Sequence, residues 1–269
     1  MTDPLDKTAP PMARLLAVMA KLRDPATGCP WDLEQSFASI APYTIEEAYE
    51  VADAIQKNDM AHLREELGDL LFQVVFHSRI AEEDKAFAFD DVARDLADKM
   101  IRRHPHVFAK REDKTSEEQT EAWEATKAHE RQAKAQGGAL DGVPLALPAA
   151  LRAQKLQKRA SRVGFDWGTA GAALDKVEEE IGELRVELAI ADPKKLEEEV
   201  GDLMFALVNV ARLAGVDAET ALRGANAKFE RRFGRVEEKL RERGRTPAES
   251  DLAEMDKLWD AAKKEERGG

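Results

Sequence analysis

Carboxylates recur in this chain at a spacing suited to holding cations. Glu46-Glu47-Ala48-Tyr49-Glu50 is followed by Glu66-Leu67-Gly68-Asp69, and Glu179-Glu180-Ile181-Gly182-Glu183 by Glu199-Val200-Gly201-Asp202. In both copies fifteen residues separate the last Glu of the first block from the Glu of the second. At 100° per residue, Glu46, Glu47 and Glu50 share an arc of about 100°, which alone describes an amphipathic helix with a solvated acidic face. The second block carries more information. ELGDLLFQVVFHSRI from Glu66 and EVGDLMFALVNVARL from Glu199 are apolar at nearly every angle, and such a helix is normally buried. Asp69 falls on the azimuth of Phe76 and Ile80, and Asp202 on that of Leu213. Both aspartates are therefore expected inside, where a carboxylate needs a cation. Gly68 and Gly201, unfavourable in mid-helix, are expected to admit a close backbone.

An all-carboxylate set selects a hard, oxygen-seeking ion, Mg²⁺ or Mn²⁺. A di-iron carboxylate bundle would require Glu-x-x-His pairs. His62, His77, His104, His106 and His129 supply none in register, and the second copy contains no histidine.

The elements that must position these acids are helices, because strong helix formers fill most segments and strand-like alternation is scarce. Helices are expected near 11–23, 44–57, 60–83, 88–102 and 115–135, then near 149–161, 170–190, 193–213, 217–241 and 249–266. Lys57-Asn58-Asp59 and Asp192-Pro193 are short turns, so each E-E-x-x-E helix should lie antiparallel to its own E-x-G-D helix. The Gly- and Pro-rich stretch 137–148 reads as a linker. The expected fold is all-α: two tandem four-helix-bundle-like domains, 1–136 and 149–269, joined by 137–148.

The repeat extends beyond the acids. Lys99 and Arg103 sit four apart, as do Lys228 and Arg232; Trp123 with Lys127 and Trp259 with Lys263 follow in the same order. A Lys/Arg pair one turn apart suits a triphosphate, and a Trp can stack on a base without reading it. A net charge of −12 argues against a nucleic-acid polymer as partner. The lone Cys29 excludes an intramolecular disulfide. The polar N-terminus and the absence of an 18–20-residue apolar run give a cytoplasmic protein without membrane spans as the expectation.

With these blocks in hand, the chain resembles the all-α MazG nucleoside triphosphate pyrophosphohydrolases, in their long tandem form. The resemblance rests on GCPWD at 28–32, APYTIEEAYE at 41–50, LREELGDLLFQVVFHSRIAEE at 63–83, RRHPHVFA at 102–109, LRAQKLQKRA at 151–160, LEEEVGDL at 196–203 and ANAKFERRF at 225–233. It implies Mg²⁺-dependent hydrolysis of nucleoside triphosphates, with broad base specificity, to monophosphate and pyrophosphate, a metal-activated water attacking the triphosphate. Carried over by position, Glu180, Glu183, Glu199 and Asp202 are catalytic metal ligands, and Glu47, Glu50, Glu66 and Asp69 their first-copy equivalents. Lys195, Lys228, Arg232, Trp259 and Lys263 match nucleotide-contacting positions, with Lys99, Arg103, Trp123 and Lys127 as a second set. Glu46 and Glu179 complete the motif, either behind the ligands or assisting the base. The resemblance also implies a homodimer whose active site draws on more than one chain, and the second copy is the one expected to turn over. The alternatives are a helical scaffold or regulatory module with structural metal, and a specialised dUTP-type or phosphoribosyl-ATP-type pyrophosphohydrolase.

Overall fold

Ser36 and Thr169 begin the first acidic helix of each copy. Ser36 Oγ accepts from Ser39 N–H, and Thr169 Oγ1 from Ala172 N–H at 3.2 Å, each supplying a partner to an amide that the first turn leaves unpaired. The same helices end on residues in the left-handed region, Asn58 (φ 56°) and Ala191 (φ 61°). The next residue in each case is an Asp that caps the second acidic helix: Asp59 accepts from Ala61 and His62, and Asp192 from Lys194. A left-handed residue followed by a capping Asp reverses the chain in two positions. Both hairpins thus run in one register, offset by 133 residues.

The structure, a computed structural model, describes residues 3–108, 115 and 138–268, with the side chains of 267 and 268 set aside. Every regular element among the described residues is helical. In chain order they are α1 (Pro11–Leu22), α2 (Pro30–Glu34), α3 (Phe37–Lys57), α4 (Met60–Glu83), α5 (Phe89–Arg103), α6 (Pro105–Phe108), α7 (Ala149–Ser161), α8 (Ala170–Ile190), α9 (Pro193–Leu213), α10 (Ala218–Glu242), a 3₁₀ turn at Pro247–Glu249, and α11 (Leu252–Gly268). The chain divides into two compact units, Met1–Glu130 and Arg131–Gly269. The expected helix at 115–135 lies, but for residue 115, outside the described residues.

In the first unit α3 and α4 form the hairpin, and α1 and α5 pack on α4. Its core joins Met19, Ile40, Val75, Phe76 and Ile80, with Leu15, Leu16, Phe72 and Phe89 against them. Buried Arg23 fastens α1 to this core: it donates to Glu83 through Nε and Nη2, and to the Asp32 and Gln35 carbonyls through Nη1. Burial works to raise the Glu83 carboxyl, but hydrogen bonds from Arg23 and Arg79 overcome it and hold the group below its ordinary range. Gly28 shapes the entry to α2, since a Cβ there would lie 2.4 Å from the Leu22 carbonyl oxygen and 2.6 Å from that of Asp24.

In the second unit α8 and α9 form the hairpin, α7 lies against α9, and α10 pairs with α11 around Val236, Leu240 and Leu258. Gln157 on α7 reaches the Phe205 carbonyl at 2.8 Å. Within the stretch read as a linker, Arg159 donates to the carbonyls of Asp141 and Gly142, and Val143 is buried, so that segment is attached to the second unit.

Three expectations are corrected. First, α3 begins at Phe37 rather than near 44; the Ser36 cap starts it and Pro42 is carried inside. Second, α4 and α9 are not covered on all sides. Leu67 and Val74 on α4, and Val200, Met204, Phe205 and Leu207 on α9, are exposed, because a two-helix hairpin with one flanking layer leaves a face over. A Cβ at Gly68 or Gly201 would meet nothing within 4 Å, so among the described residues no other backbone approaches there. Third, Asp69 and Asp202 are exposed; the buried acids of the two clusters are Glu66 on α4 and Glu180 on α8. The azimuth argument placed the aspartates inside by assuming a helix covered all round.

Candidate active site

One hairpin in each unit brings three acids together. Single carboxylate oxygens of Glu180, Glu199 and Asp202 all lie within 4.8 Å of one another, and so do those of Glu47, Glu66 and Asp69. Helix spacing accounts for this: an i, i+3 pair on the second helix (Glu199 and Asp202) faces one acid of the antiparallel first helix. Glu183 and Glu50 stand outside these triplets but act on them. Glu183 exerts the strongest like-charge effect on Glu199, and Glu50 hydrogen-bonds both Glu47 and Glu66.

Convergence without a cation resists ionisation. Burial, then the charges of Glu183, Glu180, Asp202 and Glu187, pushes the Glu199 carboxyl above its ordinary range. Burial raises Glu47, reinforced by Asp69, Glu50 and Glu66. Burial also raises Glu66, with Glu50 adding to it and His62 opposing. Glu199 Oε2 is buried with no hydrogen-bond partner. A buried carboxylate oxygen without a donor is unfavourable by itself, and a hard divalent cation among these oxygens would supply the missing partner. The donor set therefore fits a hard divalent cation.

Each cluster has a basic neighbour one turn before one of its acids, on the second helix of the hairpin in the first unit and on the first helix in the second. In the first unit His62 Nε2 lies 2.6 Å from Glu66 Oε1. In the second, Lys176 Nζ lies 2.8 Å from Glu180 and 2.9 Å from Glu179, and those carboxylates hold its ammonium well above the ordinary lysine range. The residue in register with His62 is Lys195, whose ammonium is 3.9 Å from Glu187. Lys176 was not singled out from the sequence, although its place one turn before Glu180 is a readable signal.

Beside the second cluster opens a cleft of about 280 Å³. Lys176, Glu180 and Asp202 form its charged end, while Trp167, Phe205 and Asn209 line the rest with two alanines, Ala173 and Ala206. Arg212 braces it by donating to Asn209 Oδ1 at 2.9 Å and to Asp166 Oδ1, and Asp166 also accepts from Trp167 N–H. The Arg212 bond holds the Asp166 carboxyl below its usual range. Sequence reasoning passed over Asn209; a lone amide within LMFALVNVARL was the available sign. A larger cavity of about 580 Å³ in the first unit, lined by Leu16, Met19, Val75 and Phe89, contains none of the clustered acids.

The expected basic residues form a separate group on the α10/α11 hairpin. Arg232 pairs with Glu266 at 2.8 Å and lies over the Trp259 ring, which also meets Phe229 at 5.2 Å between centroids. Lys263 pairs with Asp260 at 2.6 Å. Among the described residues, these ion pairs run within the hairpin rather than to Glu180, Glu199 or Asp202. Lys228 sits on α10 and Lys99 and Arg103 on α5; Trp123 and Lys127 lie outside the described residues. Among the described residues no helix is long and apolar enough to cross a membrane.

Known proteins resemble this chain in sequence over nearly its whole length. Residues 35–108 and 169–236, which contain both clusters, match the model of the MazG nucleotide pyrophosphohydrolase domain. A nucleoside triphosphate pyrophosphohydrolase of Escherichia coli K12 is 54% identical over 255 residues, covering 94% of this chain and 97% of its own. The nucleoside triphosphate pyrophosphohydrolase/pyrophosphatase MazG of Thermotoga maritima is 43% identical over 249 residues, covering 93% and 94%. A solved mazG-related protein from Thermotoga maritima is 30% identical, covers 43% of this chain and 98% of its own, and superposes with a TM-score of 0.37. Two matched segments, each holding one acid hairpin, and near full-length identity to such enzymes establish that the chain belongs to the MazG nucleotide pyrophosphohydrolase family.

Proposed function

We propose that this protein hydrolyses nucleoside triphosphates, with several bases accepted, to the monophosphate and pyrophosphate, and that the second unit carries the turnover with Mg²⁺. The observation that carries the reading is the convergence of Glu180, Glu199 and Asp202 around the unpartnered Glu199 Oε2, at the charged end of a cleft. Glu180, Glu183, Glu199 and Asp202 would hold the ion, which when bound supplies charge neutralisation and polarises water and phosphate oxygens. Lys176, which pairs with Glu180, would be free to meet a phosphate where those carboxylates held the ion instead. Lys195, on the first turn of α9, and Lys228, Arg232 and Lys263, on the α10/α11 hairpin, bind the remaining triphosphate charge, and Arg232 can fork two oxygens.

The exposed apolar face of the hairpins supports a homodimer, because Val200, Met204 and Leu207 in a row on one helix suit burial against a second copy. The test is product analysis with Mg²⁺ and a panel of nucleoside triphosphates. Monophosphate and pyrophosphate are expected in equal amounts; diphosphate with inorganic phosphate would assign the cut to the wrong bond, and no product from any nucleotide would return the chain to the scaffold class.

A further inference from the structure

The two hairpins share one register, so their side chains can be compared position by position. Where the second unit has Ala173, Ala206 and Asn209, the first has Ile40, Gln73 and Phe76. Ile40 and Phe76 are each 1% exposed in the core beneath Arg23, whose guanidinium lies 5.4 Å from the Phe76 ring centre. The space filled there by an aliphatic and an aromatic side chain is open in the second unit and forms the inner part of the cleft. That opening continues directly from Lys176, Glu180 and Asp202, where phosphates would sit.

The inner cleft is lined by the Asn209 amide, and its direction is fixed. Arg212 Nε only donates, so the oxygen of the Asn209 amide must be the atom facing it at 2.9 Å. The amide NH₂ is then the end left for a molecule in the cleft. The same guanidinium holds Asp166 and, through it, Trp167, so one side chain sets both the aromatic wall and the donor. Trp259, the aromatic expected from the sequence to meet a base, has Arg232 over its ring and Phe229 packed at its side.

We propose that this cleft seats the base of the nucleotide against Trp167 and Phe205, and that Asn209, oriented by Arg212, favours bases presenting a carbonyl oxygen, as guanine and uracil do. Adenine and cytosine present an amino group at the corresponding edge, and two facing NH₂ groups leave both without an acceptor. In the first unit Ile40 and Phe76 occupy the seat, so its acid cluster has no place for a base. The inference rests on the pyrophosphohydrolase reading and adds the identity of the base and the residue that selects it.

The experiment measures kcat/KM for GTP, UTP, ATP and CTP with Mg²⁺, together with calorimetric Kd values for GMP, UMP, AMP and CMP, which need no turnover. Wild type should favour the carbonyl-bearing pair by about fivefold, the size of one net hydrogen bond. Asn209→Ala should bring the four bases within about twofold of one another, and Ala173→Ile, which introduces the first unit's side chain, should weaken all four by about tenfold or more. Trp259→Ala should scale the four equally. A wild type without the preference, an Asn209→Ala protein that keeps it, or its loss on Trp259→Ala would each overturn the proposal. A wild type that discriminates among monophosphates yet releases no pyrophosphate would instead overturn the activity and leave the base seat standing.

Discussion

Neutralising one acid of the second cluster should stabilise the metal-free protein while removing its response to Mg²⁺. The oxygens of Glu180, Glu199 and Asp202 lie within 4.8 Å of one another, and Lys176 offsets only one of the three charges. Like charges at that distance repel by about 1 kcal/mol with water-like screening and several-fold more where screening is poorer. Asp202 is exposed, so the smaller value applies and Asp202→Asn should gain about 1 kcal/mol at low salt. For a unit of this size that raises Tm by about 3–6 °C in EDTA. In wild type, Mg²⁺ at a hundred times its Kd should stabilise by about 2.7 kcal/mol, and Asp202→Asn should lose most of that shift.

The pH dependence has a definite sign. The Glu199 carboxyl is raised in the folded state, so the folded protein binds protons that the unfolded chain has released. The metal-free penalty grows as pH rises from the ordinary glutamate value through the raised one, and disappears on acidification below both. The advantage of Asp202→Asn should therefore be present at pH 7 and fade toward pH 4. Scanning calorimetry in EDTA and in Mg²⁺ at both pH values measures all four quantities. A lower metal-free Tm for Asp202→Asn, or an undiminished Mg²⁺ shift, would refute the reasoning.

Three further outcomes follow from the packing. Ala191 holds φ 61° at the α8/α9 reversal, a conformation unfavourable by about 1 kcal/mol for a residue with a Cβ; Ala191→Gly should raise the Tm of the second unit by a few degrees. Arg23→Ala leaves Glu83 without its buried partner, removes the Gln35 carbonyl's donor and one of the two donors to the Asp32 carbonyl, and should lose about 3 kcal/mol, read as a lower urea midpoint confined to the first unit. Met204→Glu puts a charge on the exposed apolar face of α9; sedimentation should show a dimer for wild type and a monomer for the variant, and an unchanged mass would remove this face from the interface.

Much of the scaffold was legible from residue order. The α7, α8 and α9 boundaries fall where helix formers meet Pro148, Asp192-Pro193 and the Thr169 cap, because propensity and capping are local. The acid triplets were legible as a spacing, since i, i+3 on one helix and a short antiparallel turn leave little freedom. Burial was not. The azimuth of Asp69 does not say which face a neighbouring helix covers, and α4 and α9 keep apolar surface exposed that a periodicity argument assigns to the interior. The cleft escaped notice for a related reason. It is made by what Ala173, Ala206 and Asn209 leave open, and small residues read as fillers until their first-copy counterparts Ile40, Gln73 and Phe76 are set beside them. The bond from Arg212 to Asp166 spans 46 positions, which no local pattern reports.

The most direct test of the central claim compares steady-state pyrophosphate release from nucleoside triphosphates by wild type, Asp202→Asn and Asp69→Asn with Mg²⁺. Loss of a metal-holding carboxylate should reduce kcat by about a hundredfold or more in Asp202→Asn, while Asp69→Asn stays within about twofold of wild type. The reverse pattern would place the chemistry in the first unit, and full activity in both variants would contradict a role for either acid cluster.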